Sequence, residues 1–183
     1  MEEKTDLTNV VHEFPACQVG IVSDTHGLLR RETLTALDGC AVIIHAGDVG
    51  SAHILDQLER IAPVVAVKGN IDRSDTGVGL PPSAVVRVGD EHIYVLHDLN
   101  ELDLDPAMAG FSLVISGHSH KPAWREKSGV YYLNPGSAGP RRFKLPITVA
   151  TVDFTSRELA ARFINLEDSK VNRSQSSVPR GPL

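Results

Sequence analysis

Two cysteines in 183 residues, Cys17 and Cys40, provide neither disulfide density nor zinc-type spacing. A secreted, cross-linked scaffold is thereby disfavoured, and both thiols are expected in the core of a protein from a reducing compartment. There is no basic excess either. A net charge of −5 and a pI near 5.9 argue against a broad surface for duplex nucleic acid or for an anionic membrane. No apolar run reaches the roughly 18 residues that span a bilayer. The opening MEEKTDLTNVVHEF carries acids in place of the basic-then-apolar layout of a signal peptide, so the expected location is cytoplasmic. Internal repeats and linkers are absent too. One domain is expected over residues 16–166, after a flexible N-terminal extension (1–15) and before a disordered, Ser- and Pro-containing tail (167–183).

What is present is an ordinary globular composition, 42% hydrophobic and 22% charged, in an alternating pattern. Gln18 to Ser23, Ala41 to His45 and Pro63 to Val67 are short apolar runs rich in β-branched residues, the signature of strands buried on both faces. Between them, Leu29 to Leu37 and Ser51 to Ile61 repeat apolar positions three and four apart, as amphipathic helices do. The resulting β-α-β-α-β order implies parallel strands with helical crossovers. Ala84 to Val88, the turn Gly89-Asp90 and Glu91 to His97 read as an antiparallel hairpin. A helix near Asp103 to Ala109 follows, then a buried strand at Ser112 to Ser116. Further strands are expected at Ala123 to Lys127, Val130 to Leu133, Ile147 to Phe154 and Arg157 to Ile164. The expected fold class is α/β, with mixed sheets and helices packed outside.

Polar residues gather just past the apolar runs: Asp24 and His26 in SDTHG, Asp48 in HAGDVG, Asn70 in KGNID, His97 in VLHD, and His118 with His120 in SGHSH. In an α/β fold such strand ends can meet on one rim. Residues two apart in an extended segment point to one side, so Asp24 with His26, and His118 with His120, can each present two ligand atoms. Carboxylate, imidazole and amide together suit manganese, iron, cobalt, nickel or zinc better than calcium or magnesium. Seven ligands exceed the needs of one tetrahedral ion. Two ions sharing one carboxylate accommodate them, a recurring device in phosphate-ester hydrolysis. The remaining histidines are given structural roles: His12 in the N-terminal extension, His53 on a helix surface, His92 on the hairpin, and His45 as a hydrogen-bonded core or supporting residue.

These motifs, in this order, resemble those of the calcineurin-like metallophosphoesterase superfamily, and most closely its small single-domain phosphodiesterase branch from bacteria and archaea. The later LNPGS (Leu133 to Ser137) with Pro140-Arg141 extends the match, which runs from about Val19 to Phe154. The resemblance implies a sandwich of two mixed β-sheets flanked by helices. It implies one ion held by Asp24, His26, Asp48 and His120, and a second held by Asp48, Asn70, His97 and His118, with Asp48 bridging. Two divalent transition-metal ions are therefore expected, Mn2+ foremost, with Ni2+, Fe2+, Co2+ and Zn2+ also suited.

The expected activity is hydrolysis of a phosphodiester by hydroxide formed between the two ions, with Asp48 and Asn70 in the catalytic centre. Arg141, Asn134, Gly136 and Ser137 are the expected contacts to the rest of a small diester substrate, such as a nucleotide. Two departures from the family pattern stand out. Ile71 occupies the place where many members carry a proton-donating histidine, as is common in the small branch, so substrates with acidic leaving groups are expected. Asp98 stands where the branch has glycine after the fourth-motif histidine, and is expected to crowd or bias the second ion. Branch relatives form dimers or tetramers, implying a homodimer or homotetramer. The rival reading is a catalytically silent member of the fold that serves as a protein-interaction scaffold.

Overall fold

A computed structural model describes residues 11–72 and 79–168. Among these residues eleven strands form two sheets. The strands are β1 (Val11–Phe14), β2 (Gln18–Val22), β3 (Val42–His45), β4 (Val64–Ala66), β5 (Ser83–Val88), β6 (Glu91–Leu96), β7 (Leu113–Ile115), β8 (Ala123–Lys127), β9 (Val130–Asn134), β10 (Thr148–Asp153) and β11 (Ala161–Asn165). One sheet runs β1-β5-β6-β7-β9-β8 and the other β11-β10-β2-β3-β4. Both are mixed, as expected: β2, β3 and β4 are parallel, as are β6, β7 and β9, while β5 with β6 and β10 with β2 are antiparallel.

The apolar pattern explains why the sheets stack. In β3, Val42 and Ile44 face the interior shared with Val86, Val95 and Ile115 of the other sheet, whereas Ile43 faces the helices. Period two with both faces covered gives the continuous apolar run read in the sequence. The helices α1 (Arg31–Leu37) and α2 (Ala52–Glu59) lay Leu37, Ile54 and Leu58 over Ile43 and Val149. Each fully buried leucine there contributes about 1.5–3 kcal/mol. Gly20, beneath α1, is required by this contact: a Cβ would lie 2.9 Å from Leu37 Cδ2 and 3.1 Å from Cys40 Sγ. Cys40 is buried and Cys17 half-buried, both free thiols, and burial pushes the Cys40 thiol up to about 11.

Three expectations differ from the structure. The extension assigned to residues 1–15 is structured from Val11 onward, because β1 adds in parallel to the edge of β5, Phe14 packs on the core and Glu13 pairs with Arg87 at 2.9 Å. His12 therefore sits on a strand. Residues 1–10 and 169–183, which hold the rest of that extension and nearly all of the tail, lie outside the described residues. The helix expected near Asp103 to Ala109 is only a series of turns. Asp105 Oδ1 accepts from the backbone N–H groups of Ala107 and Met108, Gly110 adopts φ +80°, and a single 3-10 turn at Leu99–Glu101 precedes them. Finally, the strand expected at Arg157 to Ile164 begins only at Ala161. Asp153 Oδ1 accepts from Thr155 N and Oγ1, bending the chain out of the sheet first.

Among the described residues no helix is long and apolar enough to cross a membrane.

Candidate metal centre

Parallel neighbours bring their carboxyl ends to one rim. Asp24 and His26 follow β2, Asp48 follows β3, Asn70 follows β4, His97 follows β6, and His118 and His120 follow β7. The loops are tied together by backbone bonds: Asp24 N to Gly47 O at 3.0 Å, His26 N to Asp48 O at 2.9 Å, and Gly117 N to His97 O at 2.9 Å. Bonds also cross between the sheets, among them His118 N to Asp24 Oδ2 at 3.1 Å. All seven candidates thus belong to one neighbourhood.

They do not meet by strand alternation. Asp24 (φ 55°), His26 (48°), Asp48 (55°), His118 (65°) and His120 (58°) all adopt the left-handed backbone region that non-glycine residues rarely occupy. Each such residue costs on the order of 1 kcal/mol or more, and persists only where its surroundings hold it. Glycines make room. A Cβ at Gly117 would collide with Ser23 Oγ and lie 2.8 Å from Asp24 Oδ2, and one at Gly47 would lie 2.6 Å from His97 Nδ1.

The carboxylates divide their oxygens by function. Asp24, fully buried, receives Ser23 Oγ–H at 2.7 Å and His118 N–H on Oδ2. Its Oδ1 lies 3.2 Å from His120 Nε2 and 3.9 Å from His26 Nε2, and has no hydrogen-bond partner. Asp48 receives the Ile71 N–H on Oδ1 at 3.1 Å and turns Oδ2 toward His26 Nε2 at 3.6 Å and His97 Nε2 at 3.4 Å. Burial opposes its ionisation, but the neighbouring His97 ring, the Ile71 N–H and His26 outweigh that, so the carboxyl is held down at about 2. Burial likewise disfavours charge on His97, yet the Asp48 and Ala46 oxygens raise its pKa overall. Burial lowers that of His26.

His97 donates from Nδ1 to Ala46 O at 2.7 Å, so its Nε2, buried and without a partner, presents a lone pair to the site. Ligand atoms of Asp24, His26 and His120 lie within 4.8 Å of one another, and so do those of Asp24, Asp48 and His97. A buried carboxylate oxygen and a buried imidazole nitrogen, both unbonded and converging, are costly unless a cation joins them. The donor set therefore fits divalent ions. On the open side, His118 Nδ1 lies 3.0 Å from Asn70 Oδ1.

The four residues expected to touch substrate have partners within the protein. Arg141 pairs with Glu167. Asn134 donates to Gly117 O and to Ser119 Oγ, and its Oδ1 accepts Gly136 N–H at 2.9 Å. Ser137 Oγ donates to Asp24 O at 3.0 Å. These groups brace the Asp24 and His118 loops. The arginine at the cluster is Arg142, with Nη2 3.3 Å from His26 Nε2. The adjacency of two arginines hid this, since the turn backbone decides which one faces inward.

Sequence reading also passed over Asp72. Its buried carboxylate collects three backbone N–H groups, from Val49 at 3.0 Å, Gly50 at 2.8 Å and Gly69 at 2.8 Å, and so pins the Asp48 loop to the Asn70 loop. The signal was the acid two residues after Asn70 in KGNID. His45 takes the supporting role expected of it: fully buried, it bonds through Nε2 to Thr25 Oγ1 at 3.0 Å, and burial pushes its pKa down to about 4.

A two-sheet sandwich with carboxylates and imidazoles clustered at its strand ends is the layout of a metal-binding phosphoesterase. The family model of the calcineurin-like phosphoesterase superfamily domain matches residues 17–157, and the chain belongs to that superfamily. It is 32% identical over 148 residues to a probable metallophosphoesterase of Methanothermobacter thermautotrophicus, covering 74% of this chain and 86% of the relative. Among solved structures, Vacuolar Protein Sorting 29 from Cryptosporidium parvum superposes with a TM-score of 0.71 at 21% identity, over 84% of this chain and 93% of that one. An archaeal phosphodiesterase superposes with a TM-score of 0.68 at 22% identity, over 80% of this chain and 99% of that one. These two likenesses are of fold.

Proposed function

We propose that the protein is a phosphodiesterase that works with two divalent ions, one held by Asp24, His26, Asp48 and His120 and the other by Asp48, Asn70, His97 and His118. The observation that carries this reading is the position of Asp48, whose Oδ2 faces His26 on one side and His97 on the other. A carboxylate so placed, low in pKa and fixed by the Ile71 N–H, is suited to bridging. When bound, such a pair of ions lowers the pKa of water toward neutrality and stabilises charge on phosphoryl oxygens. Mixed oxygen and nitrogen donors favour Mn2+, Fe2+, Co2+, Ni2+ or Zn2+, with Mn2+ our first choice.

The chain's own residues do the rest. Asp24 and Asp48 would offset part of the charge of the ions, and His97 keeps its proton on Nδ1 so that Nε2 is free to ligate. Arg142 brings a guanidinium to the mouth, where it is placed to donate two N–H bonds to phosphate oxygens. Ile71, exposed beside Asn70, has no proton to give a departing alkoxide. Diesters with acidic leaving groups, aryl esters or small nucleotides among them, are therefore the expected substrates.

The test is hydrolysis of a chromogenic aryl phosphodiester by metal-stripped protein with Mn2+, Ni2+, Zn2+ or Mg2+ restored, beside Asp48→Ala. Metal-dependent turnover that vanishes in the variant is expected. A folded protein with no turnover under any metal would overturn the reading in favour of an interaction scaffold.

A further inference from the structure

Asp98, the acid that departs from the family pattern, stands on the outer flank of His118. Its Oδ2 is 3.6 Å from His118 Nε2, while His118 Nδ1, on the other flank of the ring, faces Asn70 Oδ1 at 3.0 Å. The carboxylate is not free to swing. Its Oδ1 receives both Asn100 N–H at 3.0 Å and Asn100 Nδ2–H at 2.9 Å, capping the 3-10 turn and leaving Oδ2 for the imidazole. The side chain of Asp98 is 19% exposed and that of His118 44%.

His97 is oriented by a closer contact of the same kind, since Ala46 O at 2.7 Å holds the proton on its outer nitrogen and leaves the inner one as a ligand atom, whereas Asp98 faces His118 at ion-pair distance. Among the described residues no backbone carbonyl is hydrogen-bonded to the His118 ring, and Asp98 stands on its outer side. We infer that Asp98 is a positioning residue for the second ion: it keeps the His118 proton on Nε2 and thereby commits Nδ1 to the ion beside Asn70. This inference rests on the two-ion reading above. An acceptor on the far nitrogen fixes the ring and raises the basicity of the near one, and losing such a partner typically weakens metal binding about 10–100-fold. Asp98 lies across the ring from Asn70, so it supports the second position where the sequence suggested crowding.

The experiment titrates metal-stripped, full-length protein with Mn2+, following free ion by electron paramagnetic resonance. The His118 Nε2–H resonance is followed in Zn2+-loaded protein by 1H–15N NMR. In Asp98→Ala and in Asp98→Asn, the latter keeping a capping oxygen for the turn, the weaker of two binding events is expected to weaken by about 10–100-fold with the tighter one unchanged. The Nε2–H signal, protected in the parent protein, is expected to exchange away. Asn100→Ala, which leaves the carboxylate in place, is expected to shift the weaker event far less. Two ions bound equally well in the parent and in both Asp98 variants, with the Nε2–H signal retained, would overturn the inference while leaving the two-ion reading intact. A parent protein that binds fewer than two ions would overturn both.

Discussion

The two sides of the metal centre are built differently. Around Asp24 and His120 the side chains are almost wholly buried, and the loops are held by Ser23, Thr25, Ser137 and the fully buried His45. Around Asn70 and His118 the side chains are exposed, and only His97 is buried. If two ions bind as proposed, the contrast means that one position is organised before its ion arrives, whereas the other faces solvent. Asp48 belongs to both sides, and Asp72 holds its loop against the exposed one.

Breaking the shared member should have the largest effect. Asp48→Ala is expected to lower kcat by roughly 10³-fold, on the scale of losing a full electrostatic contact to the transition state; steady-state assays at saturating Mn2+ check this. Asp72→Ala strips three backbone N–H groups of a charged acceptor and is expected to destabilise the fold by about 3 kcal/mol. Urea denaturation of the metal-free variant measures that loss, and an unchanged midpoint would show the two loops to be independent.

The buried side carries a pH signature of its own. His45 has a folded pKa of about 4, below its usual 6.5. Between those values the unfolded chain binds a proton that the folded chain refuses, so stability falls as pH drops from 6.5 to 4, by about 3 kcal/mol. The slope should flatten in His45→Gln, which denaturation at stepped pH would reveal.

At the mouth the effects are smaller. Arg142→Ala is expected to raise KM for a diester about tenfold, the size of one charge-assisted contact. Arg141→Ala, which removes only a surface ion pair, should leave KM within about twofold and cost at most about 1 kcal/mol of stability. A reversal of these two arginines would mean that the turn after Ser137 faces the other way in solution.

Much of this was legible beforehand. Strands buried on both faces announce themselves as unbroken apolar runs, and the seven ligand candidates followed from their positions at strand ends. What escaped depended on backbone geometry. A four-residue edge strand such as Val11–Phe14 has too few positions to display a period. Asp105 and Pro106 open a turn as readily as a helix, and here Gly110 ends it. Asp72 acts on backbone N–H groups, which carry no sequence label. Asp24 and His26 do lie side by side, but not for the geometric reason expected, since both residues bend left-handed where an extended segment was assumed.

Those bent residues have a consequence for portability. A peptide copied from Ser23 to Gly27 would relax toward right-handed or extended backbone, and its two ligand atoms would drift apart. The motif is thus a poor unit for transplantation: a host scaffold would need to supply the neighbouring loops and the bond from His118 N to Asp24 as well as the five letters. For a designer the smallest transferable part is the whole rim, carried on both sheets.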